Sequence, residues 1–200
     1  MNKKEIYRVV ISVGILLTAI PSNAYARSTI HAETDLSYLY RQNSNWWASE
    51  PGSASNGGAI VAFATAASIL TKIKVSPTRV AWTSYSRNYW RLNGNPPTSL
   101  IKKLSNVYHL SCRERNGKDS LSMSEIIQSL VRGDVVIARN NEHYIVIYAY
   151  RSKGEFRISD LGNSGHRGEW IDMHIFNNSL PDNTSFYIIT DNSKENIYEA

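Results

Sequence analysis

Two residues late in the chain could do proton chemistry together. His143 opens the run His143-Tyr144-Ile145-Val146-Ile147-Tyr148-Ala149-Tyr150, and Asp160 closes Phe156-Arg157-Ile158-Ser159-Asp160. Ser152-Lys153-Gly154 lies between the runs and reads as a tight turn. Folded as a hairpin, the runs bring His143 and Asp160 nearly opposite each other at the open end of the ladder. A carboxylate there can hold an imidazole in one tautomer, as a general base requires. The plainer reading is an exposed histidine at a strand end and an aspartate that forms the turn before Leu161-Gly162-Asn163. Spacing alone favours it.

A thiol would complete such a site, and the chain has one cysteine, Cys112. It sits in His109-Leu110-Ser111-Cys112-Arg113, a short strand by its pattern. Spacing favours a half-buried strand residue over a nucleophile. Arg113 and Arg115 argue weakly the other way, since cations lower a thiol pKa. With one cysteine the domain has no internal disulfide and must rely on its core.

The elements that must position these residues come in two blocks. The first is helical. Asn56-Gly57-Gly58 reads as a glycine turn that closes a turn-rich stretch, Ser49 to Gly58. It enters an apolar, small-sided helix, Ala59 to Leu70, which can be packed against on most of its circumference. Ser76-Pro77 starts a second helix, to about Ser86, with a Ser N-cap and Pro at the first helical position. Thr98 caps a third, through Tyr108. Ser122 and Glu125 fit a capping box, and that helix stops at Gly133. Arg113 to Lys118 reads as a polar connection that turns at Asn116-Gly117.

Strands follow over Asp134 to Arg139, His143 to Tyr150, Phe156 to Leu161 and Ser185 to Thr190. Helices first and hairpin-connected strands second make an α+β domain with an antiparallel sheet. Thr34 to Gln42 fits both a short strand and the first turns of a helix.

Residues 1–26 carry Lys3, Lys4 and Arg8, an apolar run from Val9 to Ile20, and Ala24-Tyr25-Ala26. That is the pattern of a secretory signal peptide, with a core too short to span a bilayer. The expected mature chain is one domain over residues 27–200, exported to the periplasm or the medium, with no stable membrane anchor. Its size supports a sizeable core. Removing Lys3, Lys4, Arg8 and Glu5 with the signal lowers the net charge from +5 to +3. Basic residues are scattered, so no nucleic-acid partner is expected. His166, Asp172 and His174 share no helix or strand face, so no metal and no cofactor is expected.

Taken in order, these features resemble the papain-like cysteine peptidases, most closely the bacteriocin-processing (double-glycine) peptidase branch and its exported relatives. The features are Tyr40-x-Gln42, the aromatic pair Trp46-Trp47, the glycine turn into a small-residue helix, and Gly133-Asp134-Val135-Val136-Ile137. Glu142-His143-Tyr144-Ile145-Val146 and Ile158-Ser159-Asp160 complete the set. The likeness covers Tyr38 to Thr190. It implies a helical N-terminal half packed on an antiparallel sheet half, with a cleft between them. Gln42 then matches the oxyanion-hole glutamine, His143 the general base and Asp160 the residue that orients it.

The nucleophile does not carry over. Its position falls at Gly58, Ala59 or Ile60, with Ala59 preferred because it follows the glycine turn. None of the three can attack a carbonyl. The resemblance therefore implies a pseudopeptidase holding a peptide or protein partner in the former cleft, with Trp46, Trp47 and Gly162 as candidate binding residues. One alternative is an inactivated variant of an active cysteine peptidase, its Cys replaced at Ala59. The other is an active peptidase or acyl-transfer enzyme with a relocated nucleophile, for which Cys112 must lie within hydrogen-bond reach of His143.

Overall fold

The computed structural model of the chain describes residues 34–40, 53–89, 100–140, 143–161 and 167–193. The expected signal peptide, Gln42, Trp46, Trp47, Gly162 and His166 lie outside these residues.

The fold is α+β, a helical N-terminal half followed by an antiparallel sheet. A single 3-10 turn, Leu36–Tyr38, comes first, with the Asp35 carboxylate accepting from the Ser37 N–H at 2.8 Å. Helix α1 spans Ser53–Thr71. Gly57 and Gly58 lie inside it and are buried, which corrects the expected glycine turn. A helical glycine costs about 1 kcal/mol relative to alanine. Burial against the sheet offsets that cost, so packing overrides propensity. The helix closes on its own polar groups. Ser68 Oγ donates to the Ala64 carbonyl at 2.7 Å and accepts the Val75 N–H at 2.9 Å.

Helix α2, Pro77–Ser86, has the expected Ser76 cap, whose hydroxyl accepts the Arg79 N–H. Helix α3 spans Leu100–Val107 and presents Leu100, Ile101 and Leu104 to the core. Helix α4, Met123–Arg132, begins with a complete capping box. The Ser122 hydroxyl accepts the Glu125 N–H, and the Glu125 carboxylate accepts the Ser122 N–H at 2.9 Å. It ends at Gly133 with φ 85°, a left-handed position that suits glycine.

Six strands form one sheet in the order β1-β6-β2-β3-β4-β5, every neighbouring pair antiparallel. They are β1 (Leu110–Asn116), β2 (Val135–Asn140), β3 (His143–Arg151), β4 (Glu155–Asp160), β5 (Arg167–Asp172) and β6 (Ser185–Asp191). Strand β1 runs on to Asn116 where the sequence suggested a polar connection, because all seven of its residues pair with β6. Strand β5 and the short helix α5, Met173–Ser179, had no counterpart among the expected elements. Asp172 joins the two by accepting the His174 and Ile175 N–H groups.

The sheet has a core on each face. Helix α1 lies over one, where Tyr144, Val146 and Tyr148 of β3 meet Ile60, Phe63 and the alanines of the helix. Helices α4 and α5 cover the other, where Ile147, Phe156 and Ile158 meet Ile126, Leu130 and Phe176.

Candidate functional site

His143 and Asp160 meet as the hairpin reading requires. The His143 Nε2 lies 3.0 Å from Asp160 Oδ1, with the imidazole 41 % exposed and the carboxylate 14 %. Their register is diagonal. Ile145 stands directly opposite Asp160, and His143 is two residues further along β3. Both are on the same face, and the two side chains are long enough to close a diagonal of about 7–8 Å between Cα positions. The hydrogen bond to Asp160 raises the His143 pKa above its ordinary value, against a smaller opposing effect of burial. Nδ1 is then the nitrogen left for proton exchange.

Asn140 pairs with His143 across the β2–β3 end and shares its face. Its buried Oδ1 has no hydrogen-bond partner among the described residues. The sequence offered a signal for Asn140, a polar residue three before the histidine, which a reading centred on a thiol misses.

Alternation along β3 also decides which helices the pair meets. His143 follows Ile145 and Ile147 onto the face under α4 and α5, whereas Tyr144, Val146 and Tyr148 face α1. The imidazole therefore does not share a face with the helix that carries Ala59. This differs from a cleft in which the pair looks toward that helix.

The three candidate nucleophile positions lie inside α1. Ala59 is 2 % exposed, Ile60 is 1 % exposed and Gly58 is buried. Ala59 is the seventh residue of the helix, beyond the first turn, so the unpaired N–H groups that could lower a thiol pKa are elsewhere.

Cys112 stands opposite Ile189 near the far edge of the sheet. Strands β6 and β2 separate β1 from β3, so three interstrand spacings alone put thiol and imidazole at least about 14 Å apart, and their offset along the strands adds to that. The thiol also packs on the α1 side of the sheet, and burial pushes its pKa up to about 11. This overturns the relocated-nucleophile reading. A six-stranded sheet placed the two residues at opposite sides, which distance along the chain could not show.

Of the residues weighed as metal ligands, Asp172 is engaged as the cap of α5. Trp170 instead lies between two guanidinium groups, Arg151 at 4.6 Å and Arg157 at 5.8 Å from its ring centroid. Arg151 is also bonded to Glu155, Nε to Oε2 at 2.5 Å.

No protein-family model matches the chain, and no curated protein matches it. A search of solved structures finds the crystal structure of a double glycine motif protease from an AMS/PCAT transporter in complex with the leader peptide. It is 14 % identical to this chain, with a TM-score of 0.43, and the match covers 67 % of this chain and 84 % of that one.

Proposed function

We propose that this chain is an exported, peptidase-like protein that binds a peptide or protein partner without cleaving it. The reading rests on one observation, an imidazole oriented by a carboxylate at 3.0 Å with the chain's one thiol three strands away. The ordered motifs that resemble the papain-like peptidases supply the family expectation. The exposed part of the His143–Asp160 end of the sheet is where the partner docks.

An oriented imidazole without a nucleophile can still bind. It offers a hydrogen bond to a peptide carbonyl or carboxylate, and loss of a nucleophile in enzymes of this type costs on the order of 10⁶ in turnover. Burial at Ala59 favours this reading over an inactivated variant, because a thiol at a position 2 % exposed would reach neither solvent nor substrate.

The test is Ala59→Cys in a Cys112→Ser background. The expected result is no labelling of the folded protein by a thiol-directed probe and no peptide hydrolysis. Rapid labelling with recovered hydrolysis would replace the proposal with an active ancestor whose cysteine was lost. Export predicts that the N-terminus of the protein recovered outside the cytoplasm is Arg27.

A further inference from the structure

Three strands across the sheet from His143, between α4 and the β1–β6 edge, lies a pocket of about 110 Å³. Arg113 and Arg115 line it from the strand, and Gln128, Ser129 and Arg132 from the helix. The two strand arginines are two residues apart and so share a face, their Cα atoms roughly 7 Å from each other. Both are exposed, and neither guanidinium has a hydrogen-bonded or ion-paired partner among the described residues.

One acidic residue, Glu125, also lines the pocket, and both it and nearby Asp134 already hold donors. Glu125 is held by the capping box, its Oε2 taking both the N–H and the hydroxyl of Ser122. Those hydrogen bonds, helped by the fields of Arg115 and Arg113, keep it ionised. Asp134, 4 % exposed, takes the Arg132 guanidinium at 3.1 Å, and Arg132 also donates to Ser129 Oγ at 3.0 Å. Three guanidinium groups against two committed carboxylates leave one net positive charge, with both unbonded donors on β1. Ile188 and Leu121 supply apolar lining, which reduces competing water.

We propose that this pocket binds a phosphate group, as free phosphate or as a phosphate monoester. Donors converge from two facing elements, the fork of Arg113 and Arg115 from the sheet and the amide of Gln128 from the helix. A planar carboxylate is satisfied by one bidentate guanidinium, whereas a tetrahedral dianion can take donors from both sides. The pocket has room for such a group, since it exceeds the space of a single water several times over. The site is independent of the peptidase-like reading, as it uses neither His143 nor α1.

The test is thermal unfolding of the full chain in sodium phosphate against sodium chloride at matched ionic strength, for the wild type and Arg113→Gln/Arg115→Gln. The wild type is expected to gain a saturable rise in Tm with phosphate, because a ligand of the native state stabilises it. The double variant is expected to bind at least about tenfold more weakly, having lost two charge-assisted donors. Its Tm in chloride should match the wild type, since both side chains are exposed. A second double variant, Arg113→Lys/Arg115→Lys, should bind with intermediate affinity, because it keeps the charge and loses the fork. Phosphoserine separates the sources. Tighter binding than inorganic phosphate assigns the site to a monoester, and weaker binding assigns it to the free ion. A phosphate effect no larger than that of chloride, or equal in wild type and the glutamine variant, overturns the proposal. Binding of a glutamate-rich peptide without a phosphate effect overturns it too, in favour of a carboxylate-reading surface.

Discussion

The His143 imidazole and the Cys112 thiol are displaced from their ordinary titration in ways that can be measured. The Asp160 hydrogen bond favours the charged imidazole, so the folded pKa lies above the unfolded value of about 6.5. The stabilisation from this pair is therefore fully present below the unfolded pKa and is lost as pH rises through the folded one. Because the imidazole is 41 % exposed, solvent screens the pair. Asp160→Asn should lower the His143 pKa in an NMR pH titration while changing stability by less than about 1 kcal/mol. An unchanged pKa would show that the 3.0 Å contact does not persist in solution. At Cys112, a pKa of about 11 against an ordinary value of 9.0 reduces the thiolate at neutral pH by about 100-fold. Alkylation of the native protein should be slower than that of the unfolded chain by about that factor or more, as read by mass spectrometry. Equal rates would mean that the thiol is not buried as described.

Helix α4 tests how much of an element lies in its ends. Its capping box was legible because Ser122 and Glu125 stand three apart just before an apolar run, and both reciprocal hydrogen bonds are present. Ser122→Ala leaves an N-terminal N–H without its partner and should cost about 1 kcal/mol, read as a lower urea midpoint at unchanged slope. A loss well under that would mean that water replaces the hydroxyl at little cost. Helix α1 shows the opposite case. Its first residues, Ser53 to Gly58, carry turn chemistry in their types, yet they are helical. The same holds for β1, where Arg113 and Arg115 look like a polar linker. They extend a strand because Ile188 and Phe186 of β6 stand opposite them.

At the scale of the whole molecule one sheet separates two cores, and hydrogen bonding across all six strands couples them. Phe63 lies fully buried on the α1 side, edge-on to Tyr108 with ring centroids 5.2 Å apart, and Phe156 is fully buried on the other side. Phe63→Ala and Phe156→Ala should each cost about 3–5 kcal/mol. Each should move a single unfolding transition, with far-UV circular dichroism and tryptophan fluorescence coincident. Separate transitions would mean that the two faces unfold independently.

The sequence alone determined what depends on near neighbours. Caps, the αL stop at Gly133 and the β3–β4 turn follow from spacings of a few residues, where backbone geometry leaves few choices, and that turn carries His143 to Asp160 across the hairpin. Even the α+β class follows from the order of the elements. Tertiary structure decided what depends on strand order and face. It took Cys112 at least about 14 Å from His143 by inserting β6 and β2 between their strands. It put the His143–Asp160 pair on the face away from α1, because alternation assigns a side only once the helices have chosen theirs. It buried Gly58, Ala59 and Ile60 within a helix whose glycines would not have started it alone. Finally, it brought Arg113 and Arg115 under α4 through β1–β6 pairing, a contact between segments some 70 residues apart that no local pattern in the chain encodes.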